Sequence, residues 1–337
     1  MKISFVVPHF FKKGRIFCKT DPISNRDNCL QPFISLRDEL NCRNIEIATN
    51  DQLPIDSADS VLCLDMPKAN NSMWQDAALR SLPVHVIALE SDLIHRENSA
   101  PELVDRCKTI FTPNDSRIDY VKYFPIRFAQ EIRSPLRNSW GERRFACMIA
   151  GNKASSDLSE LYSRRIAVIS WYCAYQPDLF DLYGAGWNSP TPSNILARII
   201  GRMPLICSAY SPNFSVYRGT IKDKNSVLKN YKFCYCFENF SEPKGWITEK
   251  IFDAMFAGCI PVYWGPTNIK DHIPDGCYID ASKLQNPAKI HNKLLALSGL
   301  ECSKITDNIA NYLAGDSVLK FSIERFVTTI VERVISC

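Results

Sequence analysis

Short apolar runs and helically spaced apolar positions alternate along this chain from its first residues. Ile3 to Pro8 (ISFVVP) predicts a strand, and from Asp27 onward Leu30, Phe33, Leu36 and Leu40 recur at helical spacing. IEIA at 45–48 and VLCL at 61–64 predict two more strands. A short helix around Met73 to Leu82 and the strand VHVIALE at 84–90 follow. Ser99, Pro101 and Glu102 carry helix-start chemistry for a helix through Asp105. KTIFT (108–112) and YFPIRF (123–128) complete the set. Short apolar strands alternating with helices predict a parallel sheet with helices on its faces, an α/β domain over residues 1–130.

The run 131–143, EIRSPLRNSWGER, is polar with a Pro and a Gly and reads as an interdomain linker. A second α/β domain is expected over 144–316. It opens with FACMIAGNK (145–153), a strand running into a turn, and a helix from Ser156 to Tyr175. LYGAGW (182–187) is a strand or turn, residues 194–210 mix Ile, Leu and Arg, and a short helix spans Asp223 to Asn230. Late in the domain come a strand at Tyr278 to Asp280 and a helix from about Pro287 to Leu297. The last stretch, 317–337, places Leu319, Ile323, Phe326, Val327, Ile330, Val331 and Val334 on one helical face and predicts an amphipathic helix. Its polar face carries Lys320, Arg325 and Arg333, fewer cations than a membrane-surface helix would show.

The most informative stretch is Tyr231 to Pro266. Phe233, Tyr235 and Phe237 alternate with Cys234 and Cys236, the pattern of a strand buried on both faces. Asn239 to Trp246 holds Ser, Pro and Gly and reads as a loop. Thr248 suits a helix N-cap, Ile251, Ala254 and Met255 follow at helical spacing, and Gly258 stands where a glycine ends a helix. Cys259 to Trp264 is the next strand, closed by Gly265-Pro266. This is a βαβ unit with a charged loop at the carboxyl end of its first strand, the end where open α/β sheets bind ligands. Glu249 and Lys250 lie in the first helical turn, beside unpaired N–H groups and the positive end of the helix dipole. A helix N-terminus with a lysine suits a diphosphate, and a neighbouring carboxylate suits ribose hydroxyls. In isolation the same residues also fit a solvated Lys250 and a Glu249 that merely complements the dipole.

Composition narrows this little. The chain has 337 residues, 46% hydrophobic and 23% charged, with a net charge of +4, too small to argue for nucleic acid. The start, MKISFVVPHF, reads as a first strand and not as a signal peptide, and no apolar run approaches a membrane span. Fourteen cysteines include no C-x-x-C pair. Cys63, Cys147, Cys173, Cys234, Cys236 and Cys259 sit inside apolar runs, so the expectation is reduced, buried thiols in a cytoplasmic protein. The sequons at Asn70, Asn114, Asn213 and Asn239 then carry no sugar. No Asp-x-Asp is present and the five histidines are scattered, so no metal is indicated, and none is expected as a cofactor.

The string Phe237-Glu238-Asn239, then Trp246-Ile247-Thr248-Glu249-Lys250, then Ala254 to Gly265 resembles the donor-binding signature of the α-1,3/1,4-fucosyltransferase family, glycosyltransferase family 10. One departure is visible: Trp246 stands where the family usually has Tyr. The resemblance implies the GT-B fold, two Rossmann-like parallel-sheet domains facing a cleft. Residues 1–130 would bind the acceptor, 144–316 would bind the GDP-sugar, and the 317–337 helix would cross back onto the first domain. It implies inverting transfer of L-fucose from GDP-fucose to a GlcNAc- or Glc-type hydroxyl in α-1,3 or α-1,4 linkage. The chain looks like the soluble bacterial type, cytoplasmic or peripheral at the inner membrane, serving surface glycan or O-antigen synthesis. Its acceptor would be an oligosaccharide, free or lipid-linked.

The family's base is a Glu at the end of a first-domain strand, which points to Glu90, with Asp92 as runner-up. GDP-fucose is expected on Arg218, Glu238, Asn239, Trp246, Thr248, Glu249 and Lys250. Further phosphate contacts are expected from Asn152, Lys153 and Arg202, with Arg198 a rival. Two other readings stay open: a GT-B transferase using another nucleotide sugar, and a non-catalytic paralogue that only binds one.

Overall fold

A computed structural model describes residues 1–76, 79, 81–137, 140–189 and 214–335. The chain divides into two units. The first is Met1–Ile132 with Pro243–Trp246 and Leu319–Cys337; the second is Arg133–Glu242 with Ile247–Val318.

In the first unit the chain runs through β1 (Lys2–Val6), α1 (Gln31–Cys42), β2 (Glu46–Thr49), β3 (Ser60–Leu64), β4 (Val84–Ile87), α2 (Pro101–Val104), β5 (Thr109–Thr112) and β6 (Tyr123–Pro125). The strands form one parallel sheet in the order β2-β1-β3-β4-β5-β6. Alternation sends Ile3, Phe5 and Leu62 into one apolar layer and Val6, Val61 and Cys63 into the other. Helix α1 begins at Gln31 and not at Asp27, because Asp27 and Asn28 have left-handed φ values of 54° and 60° that no helix interior accepts. Near Met73 the expected helix begins, in the described residues, as a 3₁₀ turn, Ser72–Gln75, capped by the Asn71 side chain.

The C-terminal helix belongs to this first unit. It starts at Ile323, six residues later than expected, because Asp316–Phe321 is a 3₁₀ turn and Ser322 Oγ accepts the Arg325 N–H at 3.0 Å. This helix, α8 (Ile323–Ile335), buries Phe326, Val327, Ile330, Val331 and Val334 in the layer that holds Phe33 and Leu36 of α1.

The second unit contains β7 (Arg144–Ile149), α3 (Tyr162–Tyr175), β8 (Phe180–Tyr183), α4 (Lys224–Leu228), β9 (Tyr231–Phe237), α5 (Glu249–Phe256), β10 (Ile260–Trp264), β11 (Ile279–Asp280), α6 (Pro287–Leu295) and α7 (Gly299–Ala314). Its sheet is parallel in the order β11-β10-β9-β7-β8. β9 lies between two neighbours and buries both faces, as its apolar run from Phe233 to Phe237 demands. Helix α3 starts at Tyr162 and not at Ser156, since the Asp157 carboxylate takes the Ser159 N–H and hydroxyl into a local turn. Helix α7 was not anticipated. From Arg133 onward the segment read as a linker packs on this unit: the Leu136 N–H donates to Phe256 O at 2.9 Å.

Candidate active site

The charged loop leaves the carboxyl end of β9, and a buried carboxylate organises it. Glu238 is 1% exposed. Its Oε1 accepts the Thr248 N–H at 2.8 Å and its Oε2 accepts the Thr248 hydroxyl at 2.7 Å. The Lys250 ammonium donates to Oε2 at 2.8 Å and to Thr248 Oγ1 at 2.8 Å. Gly265, at the end of β10, leaves room for this cluster: a Cβ there would lie 2.9 Å from Glu238 Cγ and 2.3 Å from the Tyr263 hydroxyl. Thr248 occupies the N-cap position of α5, but its hydroxyl is turned to Glu238 and makes no cap bond. The first turn of α5 therefore keeps its N–H groups at the same place as the Lys250 charge.

Glu249 is half-exposed beside this cluster and pairs with Lys224 Nζ at 3.2 Å. Burial pushes its carboxyl pKa up, but the ammonium groups of Lys250 and Lys224 outweigh that and hold it down at about 2. It is an anion and hydrogen-bond acceptor at neutral pH. Asn239 Oδ1 accepts from Arg165 Nη2 at 3.0 Å, and the same guanidinium donates to Phe237 O at 2.6 Å. Arg165 is 3% exposed and comes from α3. It braces the end of β9, a role sequence reasoning missed; its one signal was an arginine inside an otherwise apolar helical face.

Of the other expected phosphate ligands, Arg218 and Asn152 have polar groups engaged within this unit. Arg218 donates from Nε to Asp181 Oδ1 at 2.6 Å, and that buried carboxylate also takes the Tyr231 hydroxyl at 2.7 Å and Arg144 Nη2 at 2.6 Å. Arg144 and Tyr231 are the first residues of β7 and β9. Arg218 thus neutralises a nearly unexposed Asp181, while its N–H donates to Leu182 O of β8 at 2.8 Å. Asn152 spends its N–H on Ala185 O at 2.9 Å and its amide on Gly186 O and Ser189 O, so it ties down the turn after β8. Lys153 is exposed in the segment that follows β7. Arg202 and its rival Arg198 lie outside the described residues.

In the first unit Glu90 is exposed just beyond the carboxyl end of β4, where a base is expected. Its backbone is held firmly. Asp65 Oδ1 accepts the N–H groups of Leu89 and Glu90, each at 2.8 Å, and Asn98 Nδ2 donates to Glu90 O at 2.7 Å and to Asp65 Oδ1 at 3.0 Å. Asp92 is engaged by Arg117 at 2.9 Å. Trp246 belongs to this unit and lines one shallow recess with Glu90, Asp92, Asn114 and Arg117. Its ring stands edge-on to Phe128 at 5.8 Å. Gly245, at φ 82°, lets the loop approach: a Cβ there would lie 2.4 Å from Pro113 O. Among the described residues no group of three His, Cys, Asp or Glu is placed to hold a metal ion, and no helix is long and apolar enough to cross a membrane.

Two parallel-sheet α/β units, one carrying an anion-suited helix start at the carboxyl end of its sheet, define the GT-B class of fold. The chain aligns over its whole length with the crystal structure of an α1,3-fucosyltransferase with GDP-fucose, covering 90% of that chain at TM-score 0.55 and 15% identity. It aligns as well with an α-glucosyltransferase in complex with UDP and a 13-mer DNA, at TM-score 0.56 and 13% identity over 100% of both chains. The family resemblance comes from sequence: residues 205–303 match glycosyltransferase family 10 (fucosyltransferase) C-term. Over that segment, which holds the β9–α5–β10 unit, this is a fucosyltransferase-family sequence. The α-(1,3)-fucosyltransferase FucT of Helicobacter pylori is 51% identical over 55 residues, 16% of this chain and 11% of that protein. The α-(1,4)-fucosyltransferase of Arabidopsis thaliana is 38% identical over 57 residues, 17% of this chain and 14% of that protein. The murine 4-galactosyl-N-acetylglucosaminide 3-α-L-fucosyltransferase 9 is 34% identical over 85 residues, 24% of this chain and 23% of that protein. The matched stretches thus span between about a tenth and a quarter of these relatives.

Proposed function

We propose that this protein is an inverting glycosyltransferase that moves L-fucose from GDP-fucose to a hydroxyl of an oligosaccharide, in α-1,3 or α-1,4 linkage to a GlcNAc- or Glc-type sugar. The observation that carries the reading is the Glu238–Thr248–Lys250 cluster at the start of α5, inside the segment with the fucosyltransferase signature. Lys250 and the α5 N–H groups meet the diphosphate and stabilise it as it leaves; Glu249, held anionic, accepts hydrogen bonds from the ribose. Glu238 acts as the internal counter-ion that aims Lys250 and Thr248. Glu90 takes the proton of the attacking acceptor hydroxyl, on a backbone that Asp65 and Asn98 keep in place. Protein cations neutralise the leaving GDP without a divalent ion. The acceptor is a surface glycan or its lipid-linked precursor, met at the cytoplasmic face of the membrane.

The test is GDP release from GDP-fucose in the presence of EDTA, with and without N-acetyllactosamine and lacto-N-biose. Wild type should release GDP in an acceptor-dependent way. Glu90→Gln should keep GDP binding and lose turnover at least 10²-fold, while Lys250→Ala should lose GDP binding. Consumption of a UDP-sugar in place of GDP-fucose would keep the fold and remove the donor assignment, a real alternative given the equal likeness to a UDP-bound structure. GDP binding with no sugar nucleotide consumed would favour the non-catalytic paralogue.

A further inference from the structure

The second unit has a cavity of about 320 Å³ that the signature loop does not touch. Its lining includes Arg137, Trp140, Arg143, Cys302, Thr306 and Ala310. Arg143 directly precedes β7, and Gly258, another lining residue, lies just before β10. The cavity is therefore at the amino-terminal end of a parallel sheet, whereas Thr248 to Lys250 follow the carboxyl end of β9.

Arg143 is the unusual member. It is 7% exposed, and its Nη1 donates to two backbone carbonyls, Gly258 O at 2.6 Å and Tyr231 O at 3.2 Å. Its buried Nε has no hydrogen-bond partner, and among the described residues no carboxylate stands within ion-pair distance. A buried cation satisfied only by neutral acceptors is costly unless something else supplies the counter-charge. Beside it the Trp140 ring lies 6.0 Å from the guanidinium, and Leu136, Cys302 and Ala310 contribute apolar wall. The one lining carboxylate, Asp307, is exposed, as is Arg137. The volume falls within the ordinary range for small-molecule sites, roughly 300–1,000 Å³.

We propose that this cavity is a second ligand site, for a small amphipathic anion whose carboxylate or phosphate meets Arg143 and whose apolar body lies along Trp140 and helix α7. The site is built into the structural framework of the unit. Gly258 has φ 71°, and a Cβ there would stand 2.2 Å from Leu136 O and 3.0 Å from Arg143 Nη2. The Leu136 N–H meanwhile donates to Phe256 O, at the last turn of α5. The helix whose first turn carries Glu249 and Lys250 therefore ends in the wall of this cavity.

The experiment titrates the full chain, saturated with GDP, with three probes of equal body and different charge: 2-naphthyl phosphate, 2-naphthoate and 2-naphthalenemethanol. Calorimetry or Trp fluorescence reads the binding. The two anions should bind at least tenfold more tightly than the alcohol, and Ala310→Phe, which fills the cavity, should weaken them at least tenfold. Ser303→Trp, at an exposed position on the rim, should do the same should Ala310→Phe fail to fold. Stronger binding of the phosphate than the carboxylate would identify a phosphorylated ligand, and the reverse order a carboxylic acid. Equal binding of the alcohol, displacement by excess GDP, indifference to a folded filling variant, or no binding of any probe would each overturn the proposal.

Discussion

Lys250 and Glu238 define each other, and their pairing has a stability consequence separate from donor binding. Glu238 is almost fully buried, so removing the Lys250 ammonium leaves a carboxylate with only the Thr248 donors and a distant Tyr263 hydroxyl at 3.4 Å. Breaking one side of such a pair costs about 3 kcal/mol, whereas removing both charges costs much less. Lys250→Met should therefore destabilise the protein by about 3 kcal/mol in urea unfolding, and adding Glu238→Gln should recover at least half. Equal loss in single and double variants would mean that Glu238 does not depend on Lys250. The signature exposed Glu238, Thr248 and Lys250 as chemistry but not their division of labour, since nothing in one dimension shows that Thr248 turns from the helix end toward Glu238. His85 was assigned no role, and it is fully buried in β4. Burial and nearby Lys108 lower its pKa to about 4. Between pH 6.5 and 4 the unfolded chain therefore takes up the proton while the folded chain does not. The stability from neutral His85 is complete above pH 6.5 and is lost as pH falls toward 4, by up to about 3 kcal/mol. His85→Gln should flatten that part of the stability-against-pH curve; an unchanged slope would assign the acid sensitivity elsewhere.

At the scale of elements, the strands were easier to read than the helices. β9 and β10 carry apolar runs, Phe233–Phe237 and Ile260–Trp264, that are buried throughout, and β1 and β3 are nearly so, whereas β2 is short with Glu46 exposed. Helix starts depended on side chains reaching back to the main chain. Asp157 and Ser322 each hold a turn that delays a helix, and the left-handed Asp27 blocks one outright. Arg218 shows a related limit: linear proximity to the signature does not reveal that its guanidinium is held by Asp181 of β8. Helix α7 was missed because its apolar positions are diluted by Lys304, Asp307 and Asn308, although Ser298 and Glu301 spell a capping box. The Ser298 hydroxyl accepts the Glu301 N–H at 3.2 Å, and Glu301 Oε2 accepts the Ser298 N–H at 2.8 Å. Ser298→Ala should cost about 1 kcal/mol, measured as a shift of the urea midpoint at constant slope. A neutral result would mean that α7 is held by packing on the sheet and not by its cap.

Across the whole molecule the chain leaves the first unit at Ile132, touches it again at Pro243–Trp246 and returns for good at Leu319, so residues far apart in sequence share one unit. α8 is the returning piece. Phe326 stands edge-on to Phe33 of α1 at 5.7 Å, and Val327, Ile330, Val331 and Val334 fill the layer that also holds Ile3, Phe5 and Leu62. The Gln130 N–H donates to Phe321 O at 2.7 Å, fastening the return at the point where the chain first departs. This arrangement predicts where a lesion in α8 is felt. Phe326→Ala removes a ring that is 3% exposed and should cost about 3–5 kcal/mol. If the two units open independently, hydrogen exchange should speed up in β1 to β5 while β7, β9 and β10 keep their protection. The loss would be confined to the unit that carries Glu90, so GDP binding through Lys250 should survive conditions in which turnover is already gone. Equal acceleration in both sheets would show instead that the units open as one, and that the return of α8 couples the Glu90 unit to the Lys250 unit energetically.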